Sequence, residues 1–555
     1  MKIVECVPNF SEGKDIDKIN AITNEIKNTS GVYLLDVDPG ADTNRTVVTF
    51  VGSPEAVEEA AFRAIKKASE VIDMRKHQGE HPRMGATDVC PFVPVASVSM
   101  EDCVKIAKAL GKKVAEELRI PVYLYEEAAR EEKRKNLANI RKGEYEGLQE
   151  KIRDPEWKPD FGEPVFNEKS GATVIGAREF LIAYNVNLNT KDPKLANMIA
   201  KNVRESGKPK RDDDGNIVKD ENGEIVRIPG KLKAVRGIGW YVDEYGCAQV
   251  SINLTNYHIT PLHIVFEEVR KEARKLGLRV TGSELVGLIP EEALIEAGKF
   301  YLKRQGISMG VPKREIIHTA AKSLGLSDVT KFNPEEKVIE YRMNKESDRL
   351  VDYTLLEFAE ELSSNSPAPG GGSVAAIAGA LSAALTAMVG NLTYGKKKYQ
   401  NNWDKAEELS EKAQDLKQEL LSLACEDTKA FNQLMKSFRM KKDTKEQKQK
   451  RREAIREATK LATEVPLTVM EKSLTIMELA LKIAKIGNLN AISDAGVAGE
   501  MALASCRSAS LNVKINIPSL KDEKFARDAG IKQDDILKRI ESLYINLTSI
   551  VEEKL

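Results

Sequence analysis

Residues 77–95 read HQGEHPRMGATDVCPFVPV and join a loop rich in Gly and Pro to an apolar run typical of a buried strand. Two of the five histidines of the chain, His77 and His81, lie in this loop, and Arg83 and Asp88 follow them. Catalytic groups are often held on loops at the ends of buried strands. The stretch therefore predicts a central strand with an acid–base group at its mouth.

The pair His77 and His81 raises the alternative of a zinc site, because histidines four residues apart share one face of a helix. In the zinc-protease pattern Glu directly follows the first His, whereas Gln78 follows His77 here. Pro82 also disfavours helical geometry for His81. We therefore expect no metal, leave open a purely structural histidine pair, and favour His81 as the acid–base group.

Composition limits the class of protein. A chain of 555 residues is too long for one core and suggests several domains. The 85 basic and 85 acidic residues balance, which argues against a general nucleic-acid binder. The six cysteines are dispersed, without the spacing of a disulfide framework or a zinc ribbon. This dispersal fits a reducing cytoplasm. The first residues, MKIVECVPNF, lack the long apolar region of a signal peptide and are typical of a first strand.

The first half alternates predicted strands and helices in the order βαββαβ, twice. The first copy has strands at 2–7, 32–38, 46–51 and 89–98 and helices at 15–28 and 54–72. The second has strands at 180–188, 232–242, 248–254 and 278–282 and helices at 193–205 and 261–276. This order predicts an α+β half of two ferredoxin-like sandwiches, each an antiparallel sheet covered on one face by helices. Residues 208–231, with Asn222-Gly223 between two alternating runs, predict a protruding hairpin.

The second half shows helical periodicity without strands. Helices are predicted at 403–438, 444–463, 466–486, 494–511 and 521–552, which together form an all-α helical bundle. Residues 373–392 carry no charge, but Ala, Gly and Ser dominate them, so we expect a buried helix and no membrane span. The expected domains are 1–178, 179–326 and 351–555, with a linker at 327–350.

Asp427 is the candidate acid–base residue of the helical half. It shares one side of its predicted helix with Leu420, Leu423, Ala424, Phe431 and Leu434. A carboxylate on an apolar stripe is costly unless it is paired or protonated, and burial raises its pKa. The alternative is a structural acid paired with a Lys or Arg of a neighbouring helix.

Three further stretches offer candidate ligand contacts. Gly370, Gly371 and Gly372 precede the uncharged helix, where free amide groups would suit an anion or a flat polar ring. A turn in the first half offers Asp38, Asn44 and Arg45, with ordinary turn chemistry as the alternative. Residues 162–171 connect the two sandwiches, and a ligand could bind in the cleft that they cross.

Several motifs resemble one family in sequence and in order. LLDVDPGADTNRTVVTFVG, QGEHPRMGATDVCPF and GIGWYVDE resemble the formiminotransferase half of the formiminotransferase-cyclodeaminase family. APGGGSVAA, MVGNLTYGKKKY and IGNLNAISDAGVA resemble its cyclodeaminase half. The resemblance covers nearly the whole chain, although the hairpin at 208–231 is longer than the usual connection.

The resemblance implies a bifunctional folate enzyme of histidine degradation. The first half would transfer the formimino group of N-formimino-L-glutamate to tetrahydrofolate, a co-substrate. The second would close the product to 5,10-methenyltetrahydrofolate with release of ammonia. No metal is implied, and a homo-oligomer built from dimers is expected.

The resemblance also implies site residues. His81 would be the acid–base group of the transferase and Asp427 that of the cyclodeaminase. The folate-contacting loop would consist of Gly162, Glu163, Pro164, Val165, Phe166, Asn167, Glu168, Lys169, Ser170 and Gly171. A folate with a polyglutamate tail would seek positive charge, for which the candidates are Lys396, Lys397 and Lys398, unless these are simply solvated lysines.

Two alternatives remain. One keeps folate and changes the reaction, to formyl transfer between 5-formyltetrahydrofolate and glutamate or to methenyltetrahydrofolate hydrolysis. The other is a tandem ferredoxin-like RNA-binding protein. The second alternative is disfavoured, because no aromatic-rich RNA-binding pattern occurs on a predicted central strand and the net charge is zero.

Overall fold

The computed structural model describes residues 2–40, 44–79, 82–221, 223–243, 245–328, 331–343 and 350–555. The chain divides into two compact units: Met1–Ala293 with Gly325–Asn344, and Leu294–Leu324 with Lys345–Leu555. The first unit contains sheets and helices, and the second is helical. The units differ from the expected domains in that residues 294–324 belong with the helical part.

The strands, in chain order, are β1 (Ile3–Cys6), β2 (Asn9–Phe10), β3 (Val32–Gly40), β4 (Arg45–Gly52), β5 (Thr87–Ala96), β6 (Val122–Glu126), β7 (Thr173–Ala177), β8 (Ile182–Leu188), β9 (Lys208–Pro209), β10 (Arg227–Ile228), β11 (Val235–Val242), β12 (Cys247–Leu254) and β13 (Val280–Val286).

The helices are α1 (Ile16–Lys27), α2 (Pro54–Val71), α3 (Met100–Leu118), α4 (Glu132–Lys135), α5 (Leu137–Arg141), α6 (Leu148–Lys151), α7 (Pro193–Val203), α8 (Leu262–Lys275), α9 (Glu291–Arg304), α10 (Lys313–Leu324), α11 (Pro334–Lys337), α12 (Ile339–Met343), α13 (Leu355–Ser363), α14 (Gly371–Asn391), α15 (Trp403–Phe438), α16 (Lys445–Ile486), α17 (Ile492–Asn516) and α18 (Glu523–Lys554).

The first sheet is mixed, which corrects the expectation of an antiparallel one. Strands β3, β4, β1, β2 and β5 pair antiparallel, but β5 pairs with β7 and β7 with β6 in parallel. Helix α3 provides the crossover between β5 and β6 that parallel strands require. Strand β7 was not predicted, because every residue of its sequence TVIGA is buried and no alternation marks it.

The two faces of this sheet differ in chemistry because successive strand residues point to opposite sides. Val4, Phe50 and Phe92 belong to the core formed with helices α1, α2 and α3. Glu5 pairs with Val51 and Val93, one register position from those core residues. The opposite face, which Ile140 of α5 and Leu148 of α6 partly cover, therefore carries polar as well as apolar side chains.

The second sheet is antiparallel, with strand order β11-β12-β8-β13. Helices α7 and α8 contact its strands, and the predicted element order βαββαβ is confirmed. The predicted hairpin is observed as the antiparallel pair β9 and β10, inserted between α7 and β11. Asn222 of that hairpin lies outside the described residues.

The helical unit is centred on α14, which contacts α15, α16 and α17. Within the described ranges, α14 is the one helix long and apolar enough to cross a membrane, and most of it is buried. Small residues allow close approach of the helices: the Ser382 hydroxyl donates to the Ala498 carbonyl at 2.6 Å, and that of Ser505 donates to the Ala375 carbonyl at 2.6 Å. The predicted buried helix is therefore confirmed.

Pro466 lies inside α16, although the sequence predicted that one helix would end before it and another would begin there. Proline has no N–H, so the carbonyl of Ala462, four residues earlier, lacks its usual partner in the helix. The side-chain amide of Asn516 on α17 donates to that carbonyl at 2.8 Å. A neighbouring helix thus replaces the missing hydrogen bond, and α16 continues as one helix of 42 residues.

We expect Asn516→Ala to lower the local stability of α16 by about 1–3 kcal/mol, because it leaves the Ala462 carbonyl unpaired. Pro466→Ala restores a backbone donor, so in that background the cost of Asn516→Ala should be much smaller. Hydrogen exchange of α16 peptides in the four proteins of this cycle measures the coupling.

Asn512→Ala is the matched control, since the Asn512 amide donates to Ser508 of its own helix at 3.1 Å. Equal costs of Asn516→Ala in both backgrounds would contradict the assigned role of Asn516.

Candidate functional sites

A cavity of about 650 Å³ in the first unit is the most highly charged candidate site. Its charged lining consists of Arg45, Arg141, Lys142, Arg178 and Arg236, with Glu126 and Glu144. The five basic side chains outnumber the two acidic ones, so the cavity suits a ligand with carboxylate groups. Pro82, which follows His81 in the chain, also lines it.

His81 itself lies outside the described residues, whereas the structure describes His77. The His77 Nε2 atom lies 2.9 Å from the Asn44 carbonyl oxygen, and its Nδ1 atom accepts from Arg83 Nε at 3.3 Å. These contacts require a proton on Nε2 and none on Nδ1. Burial lowers the pKa of His77. His77 is therefore a neutral structural histidine.

Ion pairs of two buried side chains, Arg83 and Asp88, hold the segment that follows His81. Arg83 is buried and binds Glu146, at 2.6 and 2.9 Å, and Glu144 at 2.9 Å. Asp88 is fully buried, accepts from the Met84 amide at 3.0 Å and pairs with Arg141. The two charged residues noted in the sequence thus fix the backbone rather than meet solvent.

The three candidate residues of the turn, Asp38, Asn44 and Arg45, differ in what they contact. Asn44 has φ +47° and holds other loops: it accepts from the Gly13 amide at 3.0 Å and donates to the Gln78 carbonyl at 2.8 Å. Arg45 lines the cavity, and its burial lowers its pKa while Asp38 acts in the opposite sense. Asp38 is exposed on β3.

Residues 162–171 line a second cavity, of about 710 Å³, through Gly162, Glu163, Val165, Phe166 and Asn167. Pro164 is exposed. Arg119 and Lys112 contribute positive charge to this cavity, Glu116 and Glu163 contribute negative charge, and Phe161 contributes an aromatic ring. The first half of the loop is thus available to a ligand.

The second half of this loop is anchored. The Glu168 carbonyl accepts from the Tyr145 hydroxyl at 2.5 Å, and Lys169 Nζ donates to the Glu70 carbonyl at 2.8 Å. The buried Ser170 accepts from the Ala86 amide at 2.9 Å, and Gly171 forms a bridge with Gly85. Gly171 has φ +67°, and a Cβ there would lie 2.1 Å from the Met84 carbonyl oxygen.

In the helical unit, Asp427 of α15 lies against the N-terminus of α14. The Ser373 hydroxyl donates to Asp427 Oδ2 at 2.9 Å, and a Cβ added to Gly372 would lie 2.1 Å from Oδ1. Burial raises the pKa of Asp427, and hydrogen bonds from Ser373 act in the opposite sense. Among the described residues no Lys or Arg forms an ion pair with Asp427, contrary to the structural alternative.

Of the three glycines, Gly372 lies beside Asp427, whereas Gly370 precedes α14 and Gly371 lies near Asn512. The Asp427 carboxylate already accepts a backbone hydrogen bond from Ser373 near this helix start. Lys396, Lys397 and Lys398 follow the other end of α14 and are exposed. A helix of 21 residues is about 30 Å long, so these lysines are remote from Asp427.

Some site residues had no signal in the sequence. Arg141, Arg178 and Arg236 are far apart in the chain, and only the folded unit brings them to one cavity. Ser373 is the third residue of α14, and its hydroxyl contacts Asp427 and Thr428 instead of capping the helix, so no capping pattern in the sequence identifies it.

The sequence matches three family descriptions. Residues 3–178 match the formiminotransferase domain, N-terminal subdomain, and residues 183–344 match the formiminotransferase domain. Residues 354–533 match formiminotransferase-cyclodeaminase. Together the matches follow the predicted order.

Relatives agree. Formimidoyltransferase-cyclodeaminase of Gallus gallus is 45% identical over 532 residues, 95% of each chain. Glutamate formimidoyltransferase of Thermoplasma acidophilum is 46% identical over 312 residues, 56% of this chain and 95% of that protein. Methenyltetrahydrofolate cyclohydrolase of Methylorubrum extorquens is 40% identical over 201 residues, 36% of this chain and 97% of that protein. The chain therefore belongs to the formimidoyltransferase-cyclodeaminase family.

Proposed function

We propose that the chain performs its two reactions at two separate sites, one with His81 and one with Asp427. The chain is a bifunctional enzyme of histidine degradation, with glutamate formimidoyltransferase and formimidoyltetrahydrofolate cyclodeaminase activities. The first reaction moves the formimino group from N-formimino-L-glutamate to tetrahydrofolate. The second cyclises 5-formiminotetrahydrofolate to 5,10-methenyltetrahydrofolate and releases ammonia.

The cationic cavity is the observation that carries the transferase assignment. N-formimino-L-glutamate has two carboxylates, for which Arg45, Arg141 and Arg236 are suitable partners. In the reaction N5 of tetrahydrofolate attacks the formimino carbon, and the bond to the glutamate nitrogen breaks. An imidazole that takes a proton from N5 and gives one to the departing nitrogen suits this exchange near neutral pH. That Pro82, bonded to His81, lines the cavity supports His81 in this role.

For folate itself we propose the loop from Gly162 to Gly171. The exposed first half of the loop, beside Phe161 and Arg119, supports binding of an aromatic ring and a carboxylate tail. Guidance of a polyglutamate tail by Lys396, Lys397 and Lys398 stays a prediction.

For the cyclodeaminase we propose Asp427 as the proton carrier. Ring closure requires N10 to lose a proton as it attacks the formimino carbon, and the departing nitrogen must gain protons to leave as ammonia. A carboxyl of raised pKa can do both in turn. The Ser373 hydrogen bond, at 2.9 Å, holds this carboxyl at the start of α14.

A second candidate for the helical half is methenyltetrahydrofolate hydrolysis, favoured by the similarity to a cyclohydrolase. Ammonia release from 5-formiminotetrahydrofolate, compared with water addition to 5,10-methenyltetrahydrofolate, separates the two reactions. Formyl transfer from 5-formyltetrahydrofolate to glutamate is tested with the same protein.

We also propose that both sheet units are ferredoxin-like. Strands β8, β11, β12 and β13 lie in the order β11-β12-β8-β13, and β1, β3, β4 and β5 follow the same order in the first sheet, which supports this. A cytoplasmic homo-oligomer built from dimers, without membrane or nucleic-acid partners, stays a prediction of the family resemblance.

Replacing His81 with Ala should abolish release of glutamate and spare cyclisation of supplied 5-formiminotetrahydrofolate. Asp427→Asn should do the reverse, because each change removes one proton carrier. Glutamate release and methenyltetrahydrofolate absorbance measure the two steps separately. Loss of both activities with either change, in a folded protein, would contradict separate sites.

Ser373→Ala should move the acidic limb of the cyclodeaminase profile to higher pH. The hydroxyl stabilises the carboxylate form of Asp427, so its loss raises the pKa of Asp427 further. The reaction needs the carboxylate to accept a proton. As the pH is lowered, the rate of the variant therefore begins to fall at a higher pH than that of the wild type. The measurement is kcat/KM against pH.

Thr428→Val is the control for this change, since its hydroxyl lies 3.2 Å from Ser373 Oγ. It removes a neighbouring hydroxyl and leaves the Ser373 donor in place. An unchanged limb in Ser373→Ala would show that this hydrogen bond does not set the protonation of Asp427.

Arg236→Met should raise KM for N-formimino-L-glutamate about tenfold or more, because charge-assisted hydrogen bonds contribute about 1.5–3 kcal/mol. Initial-rate kinetics measure this value. Arg63→Met is the matched control, as Arg63 pairs with Glu59 on the surface of α2. Equal KM values in the two variants would show that Arg236 does not contribute to binding of N-formimino-L-glutamate.

A further inference from the structure

Lys151, the last residue of α6, makes an unusual set of contacts. Its Nζ atom donates to the carbonyl oxygens of Asn139 at 3.0 Å, Ile140 at 2.6 Å and Lys142 at 3.0 Å. It also lies 4.0 Å from the centre of the Trp157 ring. Among the described residues no carboxylate forms an ion pair with it. All three N–H donors of the ammonium group are therefore used on the main chain.

The three carbonyls belong to the C-terminal end of α5 and the residue after it. The last carbonyls of a helix have no partners within the helix and carry partial negative charge. Helix α5 has only five residues, so its own hydrogen bonds give it little stability. The Lys151 ammonium supplies the donors and the positive charge that this helix end requires.

This helix end supplies part of the wall of the cationic cavity. Arg141 and Lys142 line the cavity, and Arg141 also pairs with the buried Asp88. The chain then turns at Gly143, φ +92°, and Glu144, φ +54°, and Glu144 binds Arg83. The position of the backbone at 139–142 therefore decides where two basic side chains point.

We propose that Lys151 is a positioning residue of the transferase: its ammonium group holds the carbonyls of residues 139–142 so that Arg141 and Lys142 meet the carboxylates of the substrate. This inference rests on the proposed function, since it takes the cationic cavity as the transferase site. Lys151 acts through the backbone and does not itself line the cavity.

The role depends on charge. Burial, together with Lys142 and Arg134, lowers the pKa of Lys151 to about 8. Among the described residues, the other groups that contact the ammonium are the three carbonyls and the Trp157 ring. A neutral amine has two donors instead of three and turns a lone pair toward a carbonyl. The hydrogen bonds from Lys151 to the carbonyls of residues 139–142 therefore weaken as the pH rises past this value.

The test uses the full chain with Lys151→Met and Lys151→Arg. At neutral pH, Lys151→Met should raise KM for N-formimino-L-glutamate about tenfold, with a smaller change in kcat, whereas Lys151→Arg should retain most of the affinity. In the wild type KM should rise on the alkaline side of pH 8. In Lys151→Arg this rise should be absent, because a guanidinium stays charged.

Lys151 and Asp427 belong to different compact units, so folding of the unit with Lys151 is checked by circular dichroism and thermal unfolding of the same samples. An unchanged KM in Lys151→Met, or an alkaline rise that persists in Lys151→Arg, would overturn the inference. If Lys151→Met fails to fold, the pH profile of Lys151→Arg decides alone.

Arg236→Met separates this inference from the proposed function, because Arg236 lines the same cavity. If Arg236→Met leaves KM for N-formimino-L-glutamate unchanged, the cavity is not the transferase site and the proposed function fails. If Arg236→Met raises KM and Lys151→Met does not, only the positioning role of Lys151 fails.

Discussion

The ion pair between Asp88 and Arg141 is the interaction on which the cationic cavity depends. A fully buried carboxylate must have a partner, and removal of one member of such a pair costs about 3–5 kcal/mol. Asp88 is the second residue of the central strand β5, and Arg141 ends the short helix α5. Because Asp88 also accepts from the Met84 amide at 3.0 Å, one carboxylate joins the strand, the helix end and the segment that follows His81.

The helical unit depends on a different constraint, the close approach of helices that carry small residues. Gly372 leaves room for the Asp427 carboxylate, which a Cβ at that position would meet at 2.1 Å. Ser373, one residue later, provides the donor that holds it. The same helix start thus gives the acid its space and its orientation, while burial supplies the raised pKa.

The sequence was informative where a residue's role depends on its neighbours in the chain. Asp427 was singled out by its place on an apolar stripe, and in the structure it is half-buried and accepts a hydrogen bond from Ser373. Both βαββαβ orders were predicted from periodicity. Prediction failed for β7, because a strand buried on both faces does not alternate.

The remaining differences came from contacts between distant parts of the chain. Pro466 predicted a helix boundary by a sound local rule, but Asn516 satisfies the carbonyl that proline leaves unpaired. Likewise Arg178 and Arg236 carry no motif, and only folding assembles them with Arg45. His81 was assigned by resemblance and by its loop, and it lies outside the described residues.

The bridge between Gly85 and Gly171 has a mechanical consequence. A Cβ at Gly85 would lie 2.4 Å from the Ser170 and Ala172 carbonyl oxygens, so no other residue type fits there without displacing the backbone. The Ala86 amide also donates to the Ser170 carbonyl at 2.9 Å, so the backbone segments at 85–86 and 170–172 are in direct contact. A displacement of one segment must therefore displace the other.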